Sequence, residues 1–279
     1  MALTLLMSFL GIAASQSFSY DYHGVEWSSY CVNGLSQSPI NITKAYDGLE
    51  LHENDNDANY AYFKLDWSER HLKPTYNPFV NFVLNSDFGF SNLTSADEVL
   101  IDSYHIQTIK VHYPSEHRFN NDGSDIYALT NPNEMEVQFE HKSLTTGNVM
   151  ILAIIYEWGS SNFFIESLID SFNNPSGATI RMPEAIPGPK YLWNYYNYTG
   201  SYTVPSCGEG ITWVVKTHKE TASLEQLDFF RGILMANYSG GNYRYAQPLN
   251  NRTIYKYSSD SGASAIFMIF GGLVLSFLA

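Results

Sequence analysis

The residues IKVHYPSEHRFN, Ile109 to Asn120, and the later EMEVQFEH, Glu134 to His141, decide how this chain folds and what it holds. Both alternate apolar and polar side chains, the period of a strand with one buried face. In the first, Lys110 and His112 lie two apart and share a face; in the second, Glu136 and Gln138 do the same. Two neighbouring strands that each present such a pair build a shallow polar cluster, the kind of place where a sheet holds a metal or a catalytic water. The residue types argue against a ready-made zinc site. Catalytic zinc wants three imidazoles or thiolates and an open fourth position, and this cluster offers one histidine, one lysine and one glutamine.

The surrounding chain also favours sheet. It has 21 Tyr and 17 Phe in 279 residues that are 44% hydrophobic, and aromatic side chains suit a pleated, half-buried surface. That length buries a large core as one long β-rich domain or two small ones. Acidic residues outnumber basic ones 28 to 15, for a net charge of −13 without blocks of one sign. Nucleic acid and anionic membrane surfaces are therefore excluded as partners, because phosphate binding needs basic patches.

Both ends carry targeting signals. Residues 1–15, MALTLLMSFLGIAAS, form an apolar run with small residues at Ala13 and Ser15, a secretory leader without its positive start. Residues 258–279 run from small residues around Ser259 to Ala263 into IFMIFGGLVLSFLA. That pattern reads as a signal for a glycolipid anchor; the apolar run is shorter than the ~20 residues a membrane span needs. The expected location is the extracellular face of the plasma membrane. In an oxidising compartment the two cysteines, Cys31 and Cys207, are expected to form one disulfide. N-x-S/T sequons at Asn41, Asn92, Asn197, Asn237 and Asn251 fit the same compartment, with Asn41 set in a compact segment that would bury it.

Between the ends, the aromatic-rich Phe18 to Ile42 reads as an irregular packed arm, and Lys44 to Lys73 as solvated loop and edge strands. Phe79 to Asn85 and the apolar Met150 to Glu157 read as strands, the second a central one. Apolar residues at helical spacing through SSNFFIESLIDSF predict a short helix that stops at Asn173-Asn174-Pro175.

Several of these motifs together resemble one family. Tyr22, Gly24, Trp27, Cys31, Gly34 and above all QSPINI, Gln37 to Ile42, are similar to the N-terminal signature of the α-class carbonic anhydrases. Tyr104 to His117 resembles that family's central strand and its Ser-Glu-His ending, matched by Ser115, Glu116 and His117. Tyr195 to Val215 resembles its Tyr-Pro-Gly-Ser-Leu-Thr-Thr-Pro-Pro segment and the following tryptophan strand. The resemblance spans about residues 20–257. It implies an α+β, mainly β domain built on a large twisted, mostly antiparallel sheet with few short helices.

Residue by residue, it implies that His112 keeps the second zinc ligand while Lys110 and Gln138 replace the first and third. It places Thr203 and Glu116 as the relay that orients zinc-bound hydroxide, with Glu136, His117 and His141 behind the ligands. Phe79 falls on the proton-shuttle histidine, and Tyr202, Val204 and Trp213 on the pocket wall. Cys31 and Cys207 match the disulfide of secreted members. Thr108 stands where a supporting glutamine is usual, with Gln107 beside it.

A working enzyme of this family uses zinc to lower the pKa of bound water from roughly 15.7 to about 7. With Lys110 and Gln138 in place, the expectation is no zinc cofactor, the lysine ammonium standing in for the metal charge and held by Glu136 and Gln138. His105, at odd spacing from His112, is expected on the opposite sheet face, and His23 in the arm. The expected function is a silent, surface-displayed binding module for a protein or glycan. The alternatives are an active zinc carbonate dehydratase with an altered site and a structural coat glycoprotein. No G-x-S-x-G elbow supports a serine hydrolase.

Overall fold

Alternation carries most of the chain into one sheet. The computed structural model describes residues 18–42, 52–53, 61–71, 81–83, 88–95, 97–119, 133–174, 178–186, 191–192, 194–238 and 240–257. The leader, Phe79 and the tail 258–279 lie outside the described residues.

In chain order the first strands are β1 (His52–Glu53), β2 (Ala61–Trp67), β3 (Arg70–His71), β4 (Asn81–Val83), β5 (Gly89–Ser95), β6 (Leu100–His112), β7 (Glu134–Ser143) and β8 (Val149–Trp158). They are followed by β9 (Thr179–Ile180), β10 (Tyr191–Leu192), β11 (Tyr195–Ser201), β12 (Glu209–Lys216), β13 (Glu220–Ala222) and β14 (Tyr255–Tyr257). Helices α1 (Ser29–Asn33), α2 (Phe163–Asn173) and α3 (Leu224–Asn237) interrupt them.

The main sheet runs β1-β14-β11-β12-β8-β7-β6-β5-β2-β10, with β13 beside β8 and β4 beside β6. Most pairings are antiparallel; β8 takes β12 and β13 in parallel, and β1 joins β14 the same way. This is the expected mainly antiparallel sheet with few helices.

Both faces of its centre are covered. On one, Ile109, Val111, Val137 and Phe139 pack with Phe164, Ile165, Leu168, Leu227 and Phe230 from α2 and α3. On the other, Ile151, Ala153, Trp213 and Val215 pack with Ile40, Ile42 and Tyr198. Strand β8, buried from Met150 to Tyr156, is therefore apolar throughout rather than alternating.

Helix α2 lies in the expected stretch but starts at Phe163 rather than Ser160, because Asn162 Oδ1 accepts the free amides of Phe164 and Ile165 at 2.9 and 3.2 Å. Ser223 and Gln226 form a capping box at the start of α3. Gln226 also bonds the Asn162 backbone through both ends of its amide, which locks the two helix starts together.

Two expectations change. The arm is not wholly irregular, since Ser29–Asn33 makes a turn of helix with Cys31 buried inside it. Within the polar stretch 44–73, β2 is a seven-residue strand whose Tyr62, Phe63, Leu65 and Trp67 are buried. Its apolar side chains, not the acidic ones upstream, set its fate.

Cys31 and Cys207 form the expected disulfide, with Cα atoms 5.2 Å apart across 176 residues of sequence. It lies in a buried cluster with Tyr20 and Trp27. Reduction is expected to lower stability by about 2 to 4 kcal/mol, mostly through the freed unfolded chain. Urea unfolding with and without reductant measures the difference.

Candidate functional site

Strands β6 and β7 place the predicted cluster on one face. Lys110 lies opposite Gln138 and His112 opposite Glu136, so all four side chains project to the same side. His112, Glu136 and Gln138 are at most 1% exposed.

Glu136 is the hub. Its Oε2 accepts the backbone amides of Glu116 and His117 at 3.0 and 2.7 Å. Its Oε1 accepts Gln138 Nε2 and meets His117 Nδ1, both at 2.9 Å. Burial, the largest influence, pushes this carboxyl up, but the charge and hydrogen bonds of His117 together with Gln138 outweigh it and hold the group well below the usual carboxylate range. His117 Nε2 continues to Tyr198 Oη at 2.7 Å, and Tyr198 Oη to Ser38 Oγ at 2.9 Å.

The Ser-Glu-His turn thus folds onto β7. Glu116 Oε2 accepts the second Gln138 amide hydrogen at 2.7 Å, and Oε1 accepts the Arg244 backbone amide at 2.9 Å. Among the described residues no hydrogen bond joins Glu116 to Thr203, which is buried nearby in sequence order after β11. The expected polar pair is replaced by Gln138 and Arg244.

His112 Nδ1 lies 2.7 Å from the Asn242 carbonyl and 3.4 Å from Glu116 Oε1. Its Nε2 is buried without a partner among the described residues. Asn242 also receives the Tyr113 amide on its Oδ1 and donates to the Val111 carbonyl, both within 2.9 Å. The approach requires a glycine before it: Gly241 has φ +106°, and a Cβ there would sit 2.0 Å from the Tyr113 carbonyl oxygen.

Lys110 does not bond Glu136 or Gln138. Its Nζ donates to Glu140 Oε2 at 2.8 Å and lies 5.3 Å from the centre of the Tyr202 ring. Glu136 already accepts four donors, whereas Glu140 lies at the open end of the same face, 19% exposed at its side chain. Tyr202 Oη reaches Glu140 Oε1 at 3.4 Å. Tyr202 and Val204 are half-buried, as a cleft wall would be. Trp213 is fully buried instead, packed on His117 with ring centres 4.7 Å apart.

His141 belongs to the opposite face. Trp67 Nε1 donates to Ser91 Oγ, which lies 2.9 Å from His141 Nε2, while Nδ1 reaches the Phe139 carbonyl at 2.7 Å. The carbonyl fixes the hydrogen on Nδ1, so Nε2 accepts from the serine. Burial drives this imidazole down to about 3, against the pull of the Phe139 carbonyl. A folded-state value depressed below the unfolded one gives stability that is complete above about pH 6.5 and is lost as pH falls towards the folded value. His141→Phe is expected to be less stable at neutral pH, yet its stability between about pH 6 and 3 should change more shallowly, by about one proton. Urea midpoints across that range read the slope.

His105 is on the cluster's face after all. A bulge between Ile106 and Thr108 shifts the register, so His105 lies opposite Lys142 rather than beside the core. It stays remote from His112, meeting Gln107 Nε2 at 2.7 Å and packing on Phe90. His23 stacks on Tyr243 in the arm.

Arg244 and Asn242, which parity within β6 and β7 does not reach, complete the site. Arg244 donates to the Ser38 and Cys31 carbonyls at 2.7 and 2.6 Å and lies over Trp27. The run NYRYAQPLNNR, Asn242 to Arg252, which lies near the end of the span of resemblance, was the available signal.

The model of the eukaryotic-type carbonic anhydrases matches residues 22–258. The chain belongs to the carbonic anhydrase family. A carbonic anhydrase of Pectobacterium atrosepticum is 27% identical over 90% of this chain and 96% of its own length. Dioscorin DB3L of Dioscorea polystachya is 30% identical over 83% of this chain and 79% of its own. Among solved structures, the α-carbonic anhydrase of Thermovibrio ammonificans in complex with sulfanilamide superposes with a TM-score of 0.58 at 25% identity, covering 81% of this chain and 89% of that one. The carbonic anhydrase domain therefore accounts for nearly all of the described chain, in accord with the single domain expected.

The sequons differ in placement. Asn41 is buried, as expected. The Asn92 and Asn197 side chains are bonded within the sheet, to Ser103 and the Trp213 carbonyl. Asn251 is exposed on a turn. No helix among the described residues is long and apolar enough to cross a membrane.

Proposed function

We propose that this carbonic anhydrase-family chain is catalytically silent and acts as a binding module for a protein or glycan. The donor set carries the reading. Zinc in this family is expected at positions 110, 112 and 138, and these residues do not fit it. Only His112 offers an imidazole nitrogen. Lys110 is an ammonium paired with Glu140 and has no lone pair to give, and Gln138 offers an amide oxygen, a poor zinc ligand. A cation at position 110 also repels a second one. Glu116 and Thr203 are read as the remnant of a relay, and Phe79 as a shuttle position without a titratable group.

The display reading follows from the ends: a leader over residues 1–15, a glycolipid signal over 258–279 and a glycan at the exposed Asn251. A structural coat role would share all of these and differ in having no soluble partner.

One observation favours an active dehydratase: the unpartnered Nε2 of His112, with Nδ1 held by Asn242, is oriented as a metal ligand is. The two readings part on one preparation. Elemental analysis of the purified full chain is expected to find no stoichiometric zinc, and CO₂ hydration is expected to stay at the uncatalysed rate with zinc added. One tightly held zinc per chain overturns the silent reading.

A further inference from the structure

The hydrogen-bond polarity of the buried cluster on β6 and β7 specifies a ligand. His112 is 1% exposed, and its Nδ1 hydrogen goes to the Asn242 carbonyl at 2.7 Å. In the neutral ring, Nε2 then carries the lone pair, buried and without a partner among the described residues. Leaving such an acceptor unmet is costly, so the site favours a ligand that donates to it.

Gln138 adds a second acceptor. Both of its amide hydrogens are committed, to Glu116 Oε2 at 2.7 Å and Glu136 Oε1 at 2.9 Å. Two carboxylates accept only, so they fix which end of the amide faces them, and Oε1 is left with no hydrogen-bond donor among the described residues. His112 and Gln138 are diagonal neighbours on one face of β6 and β7, a spacing of about 7 Å at the backbone that side chains bridge.

The rim has the opposite polarity. Lys110 Nζ carries three hydrogens, and a single carboxylate contact is present, with Glu140 at 2.8 Å. Tyr202 lies against the lysine and presents a half-buried aromatic wall.

We propose that this face of β6 and β7 binds a neutral primary carboxamide, whose NH₂ group donates to His112 Nε2 and Gln138 Oε1 and whose carbonyl accepts from Lys110 Nζ, with its carbon framework along Tyr202. A carboxylate of the same shape brings lone pairs against two acceptors, with Glu116 and Glu136 behind them. An ammonium meets the Lys110 charge. A carboxamide supplies both donors and the acceptor without net charge. The proposal rests on the reading that positions 110, 112 and 138 hold no zinc.

The test uses the full-length protein in chelator-treated buffer, with benzamide and benzoate as probes of one shape. Calorimetry is expected to show benzamide binding, with benzoate weaker by roughly tenfold or more. His112→Phe should weaken benzamide by roughly tenfold to a hundredfold. Lys110→Met, at the partly exposed rim, should also weaken it and covers the case in which His112→Phe does not fold. Equal affinity for the two probes, no benzamide binding, or unchanged affinity in the folded variants overturns the proposal. A parallel zinc titration separates the two levels: tight stoichiometric zinc overturns the zinc-free reading, whereas absence of both zinc and benzamide binding overturns the carboxamide inference alone.

Discussion

Replacing Lys110 and Gln138 together with histidine is expected to raise zinc affinity by on the order of a thousandfold or more, because it completes a three-imidazole set around an already oriented His112. The supports for that set are in place. The Asn242 carbonyl holds His112 Nδ1, and Glu136 sits 2.9 Å from the side-chain nitrogen of residue 138. Such outer partners are typically worth 10- to 100-fold in metal affinity. Removing Lys110 also takes a positive charge out of the way and leaves Glu140 free to turn to solvent. On the proposed reading that Phe79 takes the shuttle position, any CO₂ hydration gained should be slow, since a phenyl ring cannot relay a proton. Zinc competition against a chromophoric chelator reads the affinity. An unchanged affinity in a folded double variant would mean that positions 110 and 138 are not ligand positions.

The second large effect is on stability. Glu136→Leu leaves four buried donors facing a hydrocarbon: the amides of Glu116 and His117, His117 Nδ1 and Gln138 Nε2. Breaking one partner out of a buried charged network costs about 3 to 5 kcal/mol, and urea unfolding is the direct measure. Glu136→Gln keeps the volume and some of the bonding and should cost less. It should also alter the acid limb of the stability curve. The Glu136 carboxyl is held low in the folded state by His117 and Gln138 against the upward push of burial. Its contribution is therefore complete above the ordinary carboxylate value of about 4.3 and is lost as pH falls below it. Wild type should lose stability through that acidic range, and Glu136→Gln should lose less.

The sheet and the face of the cluster were legible because alternation survives in β6 and β7, where one side is core. The bonding within the cluster was not. Glu136 and Glu140 both lie two residues from Gln138, and parity cannot say which one Lys110 meets. The choice is made by the Ser-Glu-His turn, whose backbone amides occupy Glu136, and a loop's path has no period to read. His105 was misplaced for a related reason: an extra residue in one strand reverses parity beyond it, and Gln107 carries no mark that distinguishes it from its neighbours. Arg244 and Asn242 reach the site across more than a hundred residues of sequence, so only the fold brings them there. The disulfide was legible because two cysteines allow a single pairing.

The order in which this chain can become itself follows from where the arm is fastened. Tyr20, Trp27 and Cys31 are made well before the groups that hold them, Cys207 and Arg244, which follow Cys31 by 176 and 213 residues of sequence. The central strand β8 likewise waits for β12 and β13 on its parallel side. Contacts of such sequence separation form slowly, and the unpaired edge of β8 with the aromatic arm is the exposed surface in the interval. The nascent chain should therefore depend on chaperones until β12, β13 and Arg244 are available, with the Cys31–Cys207 bond closing late and fastening the arm to the loop after β11.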